Sequence, residues 1–134
     1  MRDLKDINLI VVHCADTTAA MDIGAEEIRK WHTEERGWSD IGYHYVIRRN
    51  GKIEDGRDLD QIGAHVKGFN KNSIGICLVG GKPDFNFTRG QMESLRKLLD
   101  VLEEEFPGID ICGHRDLDSN KTCPNFDVKS FLEW

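Results

Sequence analysis

The 134-residue sequence has no apolar run that approaches the ~20 residues needed for a membrane-spanning helix. Its first residues, Met1 to Asp6, are mostly polar and lack the apolar stretch of a secretory signal peptide. We therefore expect no membrane insertion, and we expect synthesis in the cytoplasm without a signal peptide.

Basic residues are fewer than acidic residues. Lys and Arg number 18 against 24 Asp and Glu, which gives a net charge of −6 at pH 7. Broad binding to nucleic acid requires an excess of basic side chains to meet the phosphates, so we predict no nucleic-acid partner. The length and the lack of repeats or internal linkers predict one domain, residues 1–134, and we expect a monomer.

Cysteine is sparse. Four cysteines could form disulfides in a secreted protein, but without an export signal reduced thiols are the better expectation. Cys77 lies within an apolar run and is predicted to be a core residue. Cys14 directly follows His13, so on a strand its side chain would point away from that histidine. Cys112 would share a face with His114 if the last strand continued, which leaves both a metal ligand and a packing residue open.

Strand-like and helix-like patterns alternate along the chain. Apolar residues at helical spacing predict a long helix after Thr88, which forms a capping box with Gln91, and Pro107-Gly108 ends it. A shorter helix is predicted from about residue 25 to 35, and Asp127 is predicted to cap a last one. Strands are predicted at about 9–13, 43–49, 52–55, 73–79 and 109–112.

Asn50-Gly51 separates the second and third predicted strands. Asn-Gly between two strand-like runs predicts a β-hairpin, because both residues tolerate the positive φ of a type I′ turn. Helices that alternate with strands, together with this hairpin, predict an α/β fold with a central mixed sheet flanked by helices. In such open sheets ligands bind at the ends of strands.

Two histidines and a cysteine stand where predicted strands end. His13 closes the first strand, His114 follows the last one, and Cys123 lies in the loop beyond it. Imidazole and thiolate are ligands of Zn²⁺, and three protein ligands leave the fourth tetrahedral position open, as in catalytic sites. The pattern predicts a zinc groove at the strand ends. A structural zinc site would need a fourth ligand, for which only Cys112 is placed.

Six short segments occur in the order in which a known protein family has them. Together they resemble the type 2 N-acetylmuramoyl-L-alanine amidases, which include amidase-type lysozymes of tailed phages. Peptidoglycan recognition proteins of animals share the same fold. The resemblance runs from about residue 7 to residue 134. The segments are Val12-His13-Cys14, Gly42-Tyr43-His44-Tyr45, Gly63-Ala64-His65, Asn72-Ser73-Ile74-Gly75-Ile76, Gly113-His114-Arg115-Asp116 and Lys121-Thr122-Cys123-Pro124.

The resemblance implies an activity and a partner. Members of this family use zinc to cleave the amide bond between N-acetylmuramic acid and L-alanine in peptidoglycan, which lyses the cell wall. Peptidoglycan or its muropeptides would then be the partner, and a phage or prophage endolysin would act on the wall after its release. Some phage relatives also bind RNA polymerase through an extended N-terminus. The short polar segment before the first strand gives no support for that binding, and we do not predict it.

The resemblance also assigns roles to individual residues. His13, His114 and Cys123 match the family's zinc ligands, and Tyr43 and Lys121 match its catalytic helpers. A lysine beside a metal ligand can place its ammonium where negative charge develops on the substrate oxygen. A tyrosine there can orient or deprotonate the attacking water, or pass a proton to the leaving amine.

His65 matches a family position that lines the peptide-binding groove, and we expect it to contact the substrate. His44 alternates to the opposite face from Tyr43 and is predicted to be structural, and His32 falls at core spacing on a helix.

Two other classes of protein are alternatives to a zinc amidase. A non-catalytic module that binds muropeptides is the main alternative. Recognition proteins that do not cleave lack the cysteine ligand, so Cys123, together with Tyr43 and Lys121, favours the enzyme. A zinc base deaminase is not indicated, because the Pro-Cys-x-x-Cys part of its signature is missing.

Overall fold

The computed structural model describes residues 1–133, and a five-stranded mixed sheet forms its centre. In spatial order the strands are β3-β2-β4-β1-β5. Neighbouring strands from β2 to β5 run parallel, and β3 pairs with β2 antiparallel at the edge. The predicted α/β fold with a central mixed sheet is confirmed. The strands are β1 (Leu9–Cys14), β2 (Tyr45–Ile47), β3 (Ile53–Asp55), β4 (Ser73–Leu78) and β5 (Asp110–Gly113).

The inner strands β1 and β4 are buried along almost their whole length. Continuous burial is expected for parallel strands that are covered on both faces, and it explains their unbroken apolar sequences. Their register pairs His13 with Cys77, so these two side chains project from the same face of the sheet. The end of β1 therefore carries a histidine into the groove described below.

Helices pack against both sides of the sheet. They are α1 (Ala25–Lys30), α2 (Arg89–Glu105), α3 (His114–Leu117) and α4 (Val128–Leu132). A π-helical segment, Trp31–Glu35, continues α1, so the helix predicted to end near residue 35 is present. Within residues 1–133 no helix is long and apolar enough to cross a membrane.

Helix α2 begins as its sequence predicted. The Thr88 hydroxyl accepts the N–H of Gln91 (3.1 Å), and the Gln91 side chain accepts the N–H of Thr88 (3.0 Å). Leu95, Leu99 and Leu102 are each at most 1% exposed and belong to the main core cluster. A capped start and one apolar face therefore fix this helix against the sheet.

The hairpin is present, but its turn differs from the prediction. Arg48 donates its N–H to the Lys52 carbonyl and accepts the N–H of Gly51, so the loop has three residues rather than two. Gly51 has a positive φ of 89°, whereas Asn50 does not. Instead, the Asn50 side chain accepts the N–H of Lys52 at 2.9 Å. The type I′ prediction was therefore wrong, because Asn50 acts through its side chain and not through a positive φ.

Helix α3 was not predicted either. The sequence from Gly113 was interpreted as the start of a loop, but His114–Leu117 form one helical turn. Its start is capped by Asp116, whose carboxylate accepts the N–H of Gly113 at 2.8 Å. His114 is consequently fixed as the first residue of a helix.

Candidate metal centre

An open groove of about 630 Å³ lies at the end of β1. Its walls come from residues 13–16, from the segment 32–43, and from the loops 64–70 and 114–125. The groove therefore lies at the strand ends where the sequence placed it.

His13, His114 and Cys123 meet inside this groove. One donor atom from each lies within 4.8 Å of the others. The Nδ1 atoms of His13 and His114 are 3.1 Å apart, whereas Nε2 of His13 is 2.8 Å from His65. Nδ1 is therefore the nitrogen that His13 directs toward the other two residues. The structure thus brings together the three residues that the sequence singled out as a ligand set.

The chemistry of this donor set fits zinc. Burial lowers the pKa of His13 well below its usual value, so its ring is neutral and can offer a lone pair. A hydrogen bond with the Cys14 thiol, together with burial, raises the pKa of Cys123. A bound cation would offset that effect and leave the sulfur as a thiolate. The backbone N–H of Cys14 already points at Sγ of Cys123 from 2.9 Å and would stabilise the negative sulfur.

Local structure holds each of the three residues. His13 is 1% exposed at the end of a central strand. His114 is held by the capped turn of α3. The N–H of Arg115 donates to the carbonyl of Cys123 at 2.8 Å, which ties the loop that carries the cysteine to the helix that carries His114.

Cys112 is a packing residue. It is 6% exposed and packs with Val11 and Val66. Burial raises the pKa of its thiol to about 11. Its sulfur does not join the cluster formed by the other three residues. The cluster therefore offers three candidate ligands, a number typical of catalytic rather than structural zinc.

Tyr43 and Lys121 both lie beside the cluster. The Tyr43 ring is tilted against the His13 ring, with 5.2 Å between centroids. Burial raises the pKa of its hydroxyl well above the usual value, and the neighbouring Cys77 thiol adds to this shift. Lys121 is exposed in the loop that leads to Cys123. Lys121 and His114 line the same groove, and after burial the charge of Lys121 is the next cause that lowers the pKa of His114.

His65 lines the groove, but both its ring nitrogens already have partners within the protein. Nδ1 is 2.8 Å from Nε2 of His13, and Nε2 is 3.2 Å from the Ser73 hydroxyl. Burial is the main cause that lowers its pKa to about 3. Contact between His65 and a substrate stays a prediction, and any such contact would use the ring carbons.

Two further histidines support the groove. His32 accepts the N–H of Gly42 at 2.9 Å and packs against the Tyr43 ring, with 5.6 Å between centroids. His44 is 1% exposed and joins the backbone of β4 to the loop before His65. The interpretation of both as structural residues is confirmed.

Arg36 is a groove residue that sequence reasoning missed. Its guanidinium lies over the Trp38 ring, 5.2 Å from the centroid, and both side chains line the groove. Both residues closely follow the π-helical segment Trp31–Glu35. No sequence pattern predicts such a segment, and Arg36 was therefore not among the candidate residues.

Three candidate metal ligands that converge in the groove of an α/β sheet are typical of metal-dependent hydrolases. A family model described as N-acetylmuramoyl-L-alanine amidase matches residues 3–126, and the chain belongs to that family. It is therefore an amidase, and the resemblance inferred from the six segments is confirmed.

Individual relatives agree. The chain is 48% identical to the endolysin of Klebsiella phage KP32, over 96% of this chain and 87% of that one. The endolysin of Escherichia phage T7 is 47% identical with the same coverage. Among solved structures, N-acetylmuramoyl-L-alanine amidase LysC from Clostridium intestinale URNW superposes with a TM-score of 0.85 at 30% identity. That match covers 98% of this chain and 87% of LysC.

Proposed function

We propose that this protein is a zinc-dependent endolysin that hydrolyses the amide bond between N-acetylmuramic acid and L-alanine in peptidoglycan. One observation carries the zinc dependence: donor atoms of His13, His114 and Cys123 converge within 4.8 Å in an open groove. The family and the phage endolysin relatives support the bond and the lytic role.

His13, His114 and Cys123 would hold the ion. When bound there, zinc would supply Lewis-acid polarisation of the amide carbonyl and an acidified water. The residues around it keep the ligands in their binding forms. Burial keeps His13 neutral, and the Cys14 N–H supports a negative Cys123 sulfur.

Lys121 is proposed to stabilise the transition state. Negative charge builds on the carbonyl oxygen as the amide is attacked, and a nearby ammonium stabilises that charge more than it stabilises the neutral ground state. Lys121 suits this role because its charge already acts on His114 at the cluster.

Tyr43 is proposed to act as a second hydrogen-bonding group at the metal centre. Its ring packs on His13, and its hydroxyl lies near the thiols of Cys77 and Cys123. From this position the hydroxyl can orient the attacking water or exchange a proton with the reacting groups.

Peptidoglycan fragments are proposed to bind along the groove, and the protein to act on the cell wall after release from the cytoplasm as a monomer. The whole chain is acidic, yet the groove wall carries Arg36, Lys67 and Lys121. These cations would attract the carboxylates of the stem peptide.

Turnover of purified muropeptides, followed by mass analysis of the products, tests the proposal. We expect release of the intact stem peptide from the sugar, loss of this activity after chelation, and recovery on addition of zinc. Activity that persists in the fully chelated protein would refute zinc dependence. Binding of muropeptides without any cleavage would instead favour a recognition module.

A further inference from the structure

The ring of His13 has a second partner behind the metal centre. Its Nε2 lies 2.8 Å from Nδ1 of His65, and the two rings are perpendicular, with an angle of 89°. Nε2 of His65 in turn lies 3.2 Å from the hydroxyl of Ser73, which is fully buried at the start of β4. A chain of hydrogen-bonding groups therefore runs from the ligand into the sheet.

The His65 ring is fixed in its place by the surrounding backbone. The N–H groups of His65 and Val66 both donate to Oδ1 of Asn70, each at 2.9 Å. The ring lies against Gly75 of β4, where a Cβ atom would come within 2.7 Å of it. A Cβ atom at Gly63 would approach the same ring to 2.8 Å. The two glycines thus leave just enough room for an imidazole in this orientation.

The direction of each hydrogen bond follows from the use of Nδ1 of His13 as the ligand atom. A neutral imidazole has one donor and one acceptor nitrogen, so the proton of His13 is on Nε2 and is donated to His65. Nδ1 of His65 is then the acceptor, and its proton is on Nε2. That proton is donated to the Ser73 hydroxyl.

The geometry points to His65 as a positioning residue of the metal centre, which fixes the tautomer and the orientation of His13 while Ser73 fixes His65. This inference rests on the zinc centre of the proposed function. Outer partners of this kind also make the ligating histidine more basic. Their loss typically weakens metal affinity by about 10- to 100-fold.

Zinc affinity of matched variants tests the inference. Competition with a chromophoric chelator would give the zinc Kd of the parent, His65→Leu and His65→Asn. We expect His65→Leu to raise the Kd by about 10- to 100-fold. His65→Asn should stay near the parent, because the Asn carbonyl oxygen can replace Nδ1 as the acceptor.

His32→Leu is the matched control. His32 is also a buried histidine that accepts a hydrogen bond, but its partner is the backbone of Gly42 and not a ligand. We expect this variant to lose thermal stability and to keep the zinc Kd of the parent. Circular dichroism of the metal-free proteins would show which variants are folded.

A spectroscopic measurement needs no variant. In isotope-labelled, zinc-loaded parent protein, nuclear magnetic resonance should detect scalar coupling across the hydrogen bond between Nε2 of His13 and Nδ1 of His65. It should also place the proton of His65 on Nε2. A residue that merely fills space would show neither signal, so this test stands even if His65→Leu fails to fold.

The outcomes separate this inference from the proposed function. Folded His65→Leu with the zinc Kd of the parent, equal losses in both His65 variants, or absence of the coupling would each overturn the positioning role and leave the zinc centre intact. If the parent itself binds no zinc, the metal centre and the positioning role are both wrong.

Discussion

Mild acid should weaken the fold through His44, whose neutral ring is built into the sheet. Its Nδ1 accepts the N–H of Gly75 at 3.0 Å, and its Nε2 donates to the carbonyl of Gln61 at 2.9 Å. A charged ring would lose the first of these bonds, because both nitrogens would then be donors. Burial is the main cause that lowers the pKa of His44 from 6.5 to about 4.

The sign and size of the effect follow from linkage between protonation and folding. As the pH falls below about 6.5, this histidine becomes protonated in the unfolded chain. In the folded protein His44 stays neutral until about pH 4. The contribution of His44 to the free energy of unfolding is therefore fully present above the pKa of the unfolded chain. It declines as the pH falls through this window. The two pKa values give a loss of about 2 kcal/mol between pH 7 and pH 5 from this residue alone.

Urea unfolding of the chelated protein at pH 7, 6 and 5 would measure the effect in the parent and in His44→Asn. The Asn side chain can still accept the Gly75 N–H but does not titrate, so the variant should lose about 2 kcal/mol less than the parent over this range. Lys97→Gln, on the exposed face of α2, should follow the parent. If the parent and His44→Asn show the same pH dependence, the neutral, hydrogen-bonded His44 is not the cause and the reasoning is wrong.

Three further predictions concern the groove. Metal analysis should find one zinc per chain in the parent and in Cys112→Ala, but Cys123→Ala should lose zinc and lytic activity; zinc retained by Cys123→Ala would remove that cysteine from the ligand set. Lys121→Ala should lower kcat by about 10²-fold or more with zinc content unchanged, whereas the exposed Lys52→Ala should not; a rise in KM alone would make Lys121 a binding residue. Tyr43→Phe should lower kcat by at least about 10²-fold in steady-state assays on muropeptides, and a parent-like kcat would make Tyr43 a packing residue.

The elements that local sequence determines were predicted well. The Thr88–Gln91 capping box and the leucines of α2 act within a few residues, so their pattern is visible without the fold. The apolar sequence of residues 9–13 likewise predicted a strand, which the structure shows as β1. These features depend on local backbone geometry and on burial. Both leave capping residues and apolar patterns that can be recognised in the sequence.

The convergence of the ligands could be predicted only because several motifs occurred together. His13 and Cys123 are far apart along the chain, and the strand ends alone allow several pairings. The partners of His65 could not be predicted, because they lie on β1 and β4 and no local pattern links them to the loop that carries His65. The one-turn helix α3 was missed for a different reason, because four residues carry too little periodicity to be recognised.

The position of β1 also has a consequence for how the chain reaches its native state. Leu9 pairs with Ser73 on one side and with Asp110 on the other, so β1 has no partner nearby in sequence. Strands that are far apart in sequence must first close long loops, which costs chain entropy before their contacts can form. This cost slows folding. During synthesis the apolar segment Leu9–Val12 is made before its neighbours β4 and β5, so it stays exposed until both have been made. Ile10, Val11 and Val12 are buried in the finished sheet, so charged side chains there cannot protect the segment, and it stays prone to aggregation until both neighbouring strands have been made.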